Sequence, residues 1–102
     1  MDVYITDKDL EQLYTSGKSK KLRLPQAVVD KFFATVQKIE AAIHINDLLA
    51  DNGLKFEKLK GMENRYSMRL NQKYRLEMSI EWKNENLTVG DFYLQHISNH
   101  YQ

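Results

Sequence analysis

Apolar residues change their spacing along this chain near residue 54. Before that point they recur at steps of three and four residues, which is the spacing of one helix face. After it they alternate with polar residues in two adjacent runs, from Tyr66 to Asn71 and from Tyr74 to Trp82. Because successive side chains of a strand point to opposite faces, each run predicts a strand with one buried face.

The N-terminal half begins with a predicted edge strand, Val3 to Ile5, and a short helix from Asp7 to Tyr14. Asp7 or Thr6 is suited to cap this helix, and Ser16-Gly17 ends it. The apolar residues of the segment share one helical face, which predicts that the helix packs on a core.

A longer helix is predicted to start at Pro25, because a proline in the first turn lacks only an N–H that would have no partner there. One apolar stripe follows the helix: Val29, Phe32, Phe33, Val36, Ile39 and Ile43. We interpret this stripe as core rather than as a ligand site.

The remaining pattern completes a small sheet. Residues 46–49 predict a further helical turn before the Asn52-Gly53 turn, and residues 54–59 predict another strand. A last strand runs from Leu87 to about Ile97. The chain of 102 residues therefore predicts one α+β domain, residues 1–102, with two N-terminal helices on a twisted antiparallel sheet of four to five strands.

The alternation also predicts the pairing of the central hairpin. Both apolar sets must lie on the same face, and the tightest loop that allows this pairs Leu70 with Tyr74. Arg69 then lies opposite Arg75 on the other face. Like charges opposite one another are mildly destabilising, so an anion bound between them would be favourable.

Composition restricts the class of protein. The chain has no cysteine, which excludes disulfides, thiolate metal sites and cysteine catalysis. No apolar run approaches the roughly 20 residues that span a bilayer, and the N-terminus lacks the pattern of a signal peptide. We therefore expect a cytoplasmic protein without a membrane partner.

The net charge is only +1, but basic residues gather in two stretches. The first stretch holds Lys18, Lys20, Lys21 and Arg23, and the second holds Lys55, Lys58, Lys60, Arg65, Arg69, Lys73 and Arg75. Clustered positive charge attracts polyanions such as RNA, although an exposed lysine is in most cases simply solvated. We predict RNA contacts for eight residues: Lys58, Lys18, Lys20, Lys21, Arg23, Arg65, Lys73 and Tyr93.

Cleavage of RNA through the ribose 2′-hydroxyl needs a base, an acid and cations that stabilise charge on the phosphate. Arginine suits the last role because its planar fork matches two phosphate oxygens. Arg69 and Arg75 are the candidates, with Lys58 and Lys60 entering from the preceding strand. Ion pairing to Glu77 or Glu81 is the alternative for both arginines.

Acid–base candidates lie near the end of the chain: Tyr93, His96, His100 and Tyr101. The alternative for the histidines is a solvated chain end, and a bulge near Gly90 would change the face on which Tyr93 and His96 lie. His96 and His100 have the spacing of a helical metal pair, but a third ligand is missing. We therefore predict neither a metal site nor a cofactor.

Five segments resemble HigB-type toxins of the RelE/ParE superfamily, which belong to bacterial type II toxin–antitoxin systems. They are residues 13–21, 54–61, 65–71, 74–78 and 97–101, with Leu-Lys-Gly and Arg-Leu-Asn as the most specific parts. The resemblance implies a RelE-like fold and metal-independent cleavage of mRNA in the ribosomal A site. It also implies a HigA-like helix-turn-helix antitoxin, which neutralises the toxin and brings the complex to operator DNA.

On matching positions, the resemblance implies that Lys60, Arg69 and Arg75 bind the phosphate and stabilise the transition state. Terminal His and Tyr residues would share proton transfer, which makes His96, or His100 with Tyr101, the counterparts. One departure is clear: where some relatives have His-Pro-Leu-Lys-Gly, this chain has Glu57-Lys-Leu-Lys-Gly61. A mechanism that relies on lysine, arginine and Glu57 therefore stays open.

Two other functions remain compatible with the sequence. ParE-like relatives on the same scaffold inhibit DNA gyrase without cleaving RNA, and a basic sheet face also suits a non-catalytic module that binds RNA or an acidic protein segment. Retention of His96, His100, Arg69 and Arg75 favours the nuclease.

Overall fold

A computed structural model describes residues 1–99 of the protein. Within these residues the elements follow in this order: β1 (Val3–Ile5), α1 (Lys8–Ser16), α2 (Gln26–Ala41), α3 (Ile45–Leu49), β2 (Glu57–Lys58), β3 (Tyr66–Arg69), β4 (Tyr74–Trp82) and β5 (Gly90–Asn99). The strands form one sheet in the order β1-β5-β4-β3-β2. The predicted α+β class, with N-terminal helices beside a small sheet, is confirmed.

The sheet is mixed rather than purely antiparallel. Residues of β1 pair in parallel with Phe92 to Leu94 of β5, whereas the other three pairings are antiparallel. The expectation of an antiparallel sheet was therefore wrong at β1. The period-2 pattern reports which face a strand buries but carries no information on its direction, so the sequence did not reveal this pairing.

The first helix begins and ends where the sequence predicted. The side chain of Asp7 accepts hydrogen bonds at 3.0 Å from the backbone N–H groups of Asp9 and Leu10, as an N-terminal cap does. Gly17 ends the helix in the left-handed conformation, with φ of 77°, and its N–H donates to the carbonyl of Leu13. A residue without a Cβ is suited to this conformation.

The second helix places most of its predicted stripe in the core, but not its last member. Phe32, Val36 and Ile39 are buried, whereas Ile43 is 78% exposed. The helix stops at Ala41, and the Asp47 side chain accepts hydrogen bonds from the N–H groups of Ile43 and His44. The chain therefore turns away from the core into α3 before Ile43 completes the stripe.

The ion pair that joins α2 to the turn after α3 predicts a pH dependence of stability. Asp51 accepts a hydrogen bond from Lys38 at 2.7 Å, and this contact lowers the pKa of Asp51 below its ordinary value of 3.8. A carboxyl group with a lowered folded-state pKa stabilises the protein above the ordinary value, and this stability is lost as the pH falls through the lowered pKa. We expect Asp51→Asn to reduce the difference in unfolding free energy between pH 7 and pH 2.

Urea unfolding at both pH values measures this difference, with Asp30→Asn as a control because Asp30 is an exposed aspartate of α2. An Asp51→Asn protein whose pH dependence equals that of the unsubstituted protein would contradict the assignment.

The central hairpin has the predicted register. Leu70 donates a backbone hydrogen bond to Tyr74 at 3.0 Å, and Arg69 is the direct cross-strand partner of Arg75. The Asn71 side chain accepts hydrogen bonds from the N–H groups of Lys73 and Tyr74, which holds the loop in a tight turn. The pairing inferred from alternation alone is thus confirmed.

Both flanking strands differ from their predicted bounds. The stretch predicted as a strand over residues 54–59 pairs only at Glu57–Lys58, and the last strand begins at Gly90 rather than Leu87. Its register shifts where Glu77 faces His96 and Met78 faces Leu94. The extra residue is therefore Gln95, so the irregularity lies five residues beyond the position considered at Gly90.

Buried residues of the helices and of one sheet face form a single hydrophobic cluster. Its most buried large members are Phe32, Leu10, Leu13, Ile39 and Leu48 from the helices, Leu54 from the loop before β2, and Met68, Leu76, Met78, Ile80, Phe92 and Leu94 from the sheet. Within residues 1–99 no helix has the length and hydrophobicity that crossing a membrane requires. Among residues 1–99 no helix covers the opposite sheet face, where Arg69, Arg75 and His96 lie.

Candidate functional site

The side of the sheet that faces away from the helices is called the open face. It carries the alternate residues of the three central strands: Ser67 and Arg69 of β3, Arg75, Glu77, Ser79 and Glu81 of β4, and Tyr93, His96 and Ser98 of β5. Cross-strand pairing sets these side chains in rows. One row joins Arg69, Arg75 and Ser98, and the next joins Ser67, Glu77 and His96.

Arg69 and Arg75 line a polar pocket of about 250 Å³ at the hairpin end of the open face. The other lining residues are Lys55, Asn71 and Gln72. This hollow, called the basic pocket, has three cationic residues in its wall. Three positive charges around so small a volume favour an anion, and arginine is the side chain best matched to the oxygens of a phosphate.

Contacts on several sides hold Arg75 in place. Its Nε donates to the hydroxyl of Ser67 at 3.0 Å, and its Nη2 donates to the carbonyl of Lys55 at 3.2 Å. Nη2 also lies 3.0 Å from Oε1 of Glu57, and the Arg75 side chain is only 11% exposed. Within residues 1–99, Nη1 has no hydrogen-bond partner, so this nitrogen is available to a ligand.

The expected alternative, an ion pair from each arginine to Glu77 or Glu81, does not occur. Arg75 pairs with Glu57, and Glu77 lies 3.5 Å from Arg65 instead. For Arg69 the structure shows no ion pair with any of residues 1–99. Glu57 therefore balances the charge of Arg75, whereas the charge of Arg69 is not balanced, so positive charge remains in the basic pocket.

Glu57 brings a carboxylate to the edge of the basic pocket. It is the cross-strand partner of Ser67, and its side chain is 57% exposed. An exposed carboxylate at the edge of a cationic pocket can act as a base toward a ligand bound there.

The other end of the open face is acidic and aromatic. The ring of Tyr93 stacks on that of Tyr4 with centroids 5.2 Å apart, and its hydroxyl donates to Glu81 at 3.4 Å. Desolvation, together with the charges of Glu81 and Asp91, raises the pKa of Tyr93 above 10.0. This end therefore disfavours a phosphate, although Tyr93 offers a ring on which a base can stack.

Comparison with known proteins identifies the family of this chain. The sequence model of the HigB-like toxins, described as RelE-like toxins of the type II toxin–antitoxin system HigB, matches residues 4–97. The chain belongs to the HigB-like toxin family. It is thus the toxin of a type II system, and such a toxin has an antitoxin as its partner.

Two solved structures show the same fold as this HigB-like toxin. The YoeB/ParE toxin from Agrobacterium tumefaciens is 15% identical, with 99% of this chain and 100% of that chain covered and a TM-score of 0.59. The YoeB dimer from Staphylococcus aureus is 19% identical, with 99% and 98% covered and a TM-score of 0.56. No curated protein sequence matches the toxin.

The two lysines of the Leu-Lys-Gly segment lie apart from the basic pocket. Lys58 pairs with Tyr66, whose ring packs against the core, so Lys58 lies on the opposite side of β2 from Glu57. Lys58 and Lys60 instead line a separate hollow of about 430 Å³, in the loop before β3. The expectation that both lysines enter the arginine site from the preceding strand was therefore wrong.

His96 lies on the open face, which is the side of the sheet that carries Arg69 and Arg75. It is exposed and is the cross-strand partner of Glu77, one row from Arg75. The extra residue at Gln95 causes this placement, because without it His96 would fall on the core face. His100 and Tyr101 lie outside the described residues.

The remaining predicted RNA contacts are scattered. Lys18, Lys20, Lys21 and Arg23 are exposed in the loop between α1 and α2, and none of them lines the basic pocket. Arg65 pairs with Glu77 on the open face, and Lys73 lies in the hairpin turn with its ammonium 6.0 Å from the ring centre of Tyr74. Of these six residues, only Arg65 and Lys73 therefore lie next to the strands that carry Arg69 and Arg75.

Four residues at the site were not among the predicted site residues: Ser67, Asn71, Gln72 and Lys55, which the sequence placed only in a basic stretch. Lys55 adopts a left-handed backbone conformation with φ of 45°, which ends the predicted strand and turns its carbonyl to Arg75. No sequence signal marks a left-handed lysine. Among residues 1–99, His, Asp and Glu side chains do not form any group of three that would hold a metal ion.

Proposed function

We propose that this toxin is a ribosome-dependent mRNA endonuclease that arrests translation. The observation that carries the proposal is the basic pocket, where Arg69, Arg75 and Lys55 surround a volume that suits a phosphate beside the carboxylate of Glu57. Family membership supports a toxic activity, and the pocket supports a phosphodiester as its target.

In the proposed reaction the ribose 2′-oxygen attacks the adjacent phosphorus, and the bond from phosphorus to the 5′-oxygen breaks. Glu57 takes the proton of the 2′-hydroxyl, and a histidine or tyrosine of β5 or the residues after it returns a proton to the leaving 5′-oxygen. Arg75 and Arg69 stabilise the charge that develops on the phosphoryl oxygens. The products are a 2′,3′-cyclic phosphate and a free 5′-hydroxyl.

The other predicted residues take supporting roles in the proposal. His96, His100 and Tyr101 are the candidates for the acid. Lys58 and Lys60 bind neighbouring phosphates from their own hollow, and Tyr93 offers a ring for base stacking. The basic loop of Lys18, Lys20, Lys21 and Arg23 binds ribosomal RNA.

We also infer where the toxin acts and which partners it has. A type II toxin that acts on translating ribosomes works in the cytoplasm as one domain, residues 1–102. Its antitoxin is a HigA-like helix-turn-helix protein, and the toxin reaches operator DNA only in complex with that antitoxin. Neutralisation then requires the antitoxin to block the basic pocket or ribosome binding.

Induced expression in a bacterial host tests the function directly. We expect growth arrest with new RNA ends inside translated messages, and we expect Arg69→Ala or Arg75→Ala to restore growth and remove those ends. Lys83→Ala is the control, because Lys83 pairs with Asp91 away from the basic pocket. Arrest with intact messages would contradict the nuclease and favour gyrase inhibition, while normal growth with stable protein would favour a non-catalytic binding module.

A further inference from the structure

Ser67 occupies an unusual position for a polar residue. It is fully buried, and its cross-strand partners on the open face are Glu57 on one side and Glu77 on the other. A buried hydroxyl without a hydrogen bond is destabilising. The oxygen of Ser67 accepts its hydrogen bond from Nε of Arg75.

The carbonyl of Lys55 supplies a second fixed contact to the same guanidinium. This carbonyl accepts a hydrogen bond from Nη2 at 3.2 Å, and Lys55 has the left-handed φ of 45°. A non-glycine residue in that region is strained, and such strain is typical of functional sites. Ser67 and Lys55 therefore hold two different nitrogens of the Arg75 fork.

Two fixed contacts determine the direction of a planar group. With Nε on Ser67 and Nη2 on Lys55, the guanidinium plane has little freedom to rotate, and Nη1 is the nitrogen left without a partner among residues 1–99. Because Arg75 lines the basic pocket, Nη1 is the donor that an anion there would meet.

We propose that Ser67 is a positioning residue that holds Arg75 in the orientation needed to bind a phosphate. The inference rests on the proposed function in one respect, namely that the ligand of Arg75 is a phosphate group of RNA. Without the Ser67 hydroxyl, Arg75 keeps only the Nη2 contacts with Lys55 and Glu57, so its guanidinium plane is held less firmly and both phosphate binding and catalysis weaken.

The test compares Ser67→Ala with Ser67→Thr, which keeps the hydroxyl. Ser79→Ala is the matched control, because Ser79 lies on the same face of the sheet and accepts a hydrogen bond from Gln95 at 3.0 Å instead of from an arginine. Urea unfolding identifies the variants that fold. If Ser67→Ala does not fold, Ser67→Cys replaces it, because a thiol of similar size is a poor hydrogen-bond acceptor.

The first measurement is the NMR signal of the Arg75 Nε–H group, followed during titration with inorganic phosphate. We expect a slowly exchanging signal in the unsubstituted protein, in Ser67→Thr and in Ser79→Ala, and its loss in Ser67→Ala. Affinity for phosphate is expected to fall about tenfold in Ser67→Ala alone, the size expected for losing a hydrogen bond to a charged group.

The second measurement is the rate of mRNA cleavage on programmed ribosomes, which is expected to fall at least as much as phosphate affinity in Ser67→Ala and to recover in Ser67→Thr. An Arg75 signal and a phosphate affinity that survive in Ser67→Ala would overturn the inference. Equal losses in Ser67→Ala and Ser79→Ala would also overturn it, since they would indicate general loosening of the sheet.

Failure of the proposed function gives a different result. If the unsubstituted protein cleaves no mRNA but its phosphate affinity still depends on the Ser67 hydroxyl, the nuclease is refuted while the positioning role of Ser67 is supported. If mRNA is cleaved but Ser67→Ala leaves rate, affinity and the Arg75 signal unchanged, the positioning role is refuted while the nuclease is supported.

Discussion

The Arg75→Ala toxin is expected to cleave mRNA on programmed ribosomes about 100 to 1,000 times more slowly than the unsubstituted toxin. This range is typical of losing one preorganised donor to a developing negative charge. Arg75 is the best ordered cation of the basic pocket, because Ser67, Lys55 and Glu57 all contact its guanidinium. Rate constants from single-turnover cleavage of a defined message measure the effect.

Arg75→Lys separates charge from geometry. A lysine keeps the positive charge but lacks the planar fork, so it cannot contact Ser67 and Lys55 while also binding a phosphate. We expect Arg75→Lys to recover less than a tenth of the lost rate. A lysine variant with nearly full activity would contradict this and show that positive charge alone is sufficient. Lys83→Ala is the control and should cleave at the unsubstituted rate.

Phe32→Ala is expected to lower the free energy of unfolding by about 3–5 kcal/mol. Phe32 lies in the middle of α2, is fully buried, and its ring contacts those of Tyr14 and Phe33. Removing it leaves a cavity between the helices and the sheet. A domain of this size has a total stability of about 5–15 kcal/mol, so the variant should be partly unfolded at physiological temperature.

Phe33 is a matched control for this effect, since it is the next residue on the same helix. It is only half-buried, so Phe33→Ala removes less apolar surface from the core and should cost about half as much. Urea titrations of both variants give the two values. Equal losses would contradict the assignment of Phe32, rather than Phe33, to the centre of the core.

The spacing of apolar residues was sufficient to predict the central hairpin and the helices. Alternation in β3 and β4 set the face of every residue, and parity then placed Arg69 opposite Arg75. The same information did not predict the parallel pairing of β1 or the end of α2 before Ile43. Strand direction and helix termination depend on contacts that the apolar spacing does not encode, such as the pairing of β1 with β5 and the hydrogen bond that the Ile43 N–H donates to Asp47.

The candidate site was predictable in part for the same reason. The arginine pair follows from local alternation, whereas the contacts that orient it come from a segment whose conformation is irregular. Lys55 has a left-handed backbone and, of residues 54–59, only Glu57–Lys58 forms a strand, so the expectation that Lys58 and Lys60 enter the arginine site from a preceding strand was wrong. His96 reaches the open face through one extra residue, Gln95, for which the sequence has no clear signal.

The most direct test of the proposed nuclease uses a short message with a single 2′-deoxy nucleotide at the mapped cleavage position. Purified toxin is added to ribosomes that hold this codon, or its all-ribose counterpart, in the A site. Attack by the 2′-oxygen predicts cleavage of the all-ribose message to a 2′,3′-cyclic phosphate, no cleavage of the deoxy message, and no cleavage of either without ribosomes. Cleavage of the deoxy message, or an intact all-ribose message beside active toxin that arrests growth, would contradict the account.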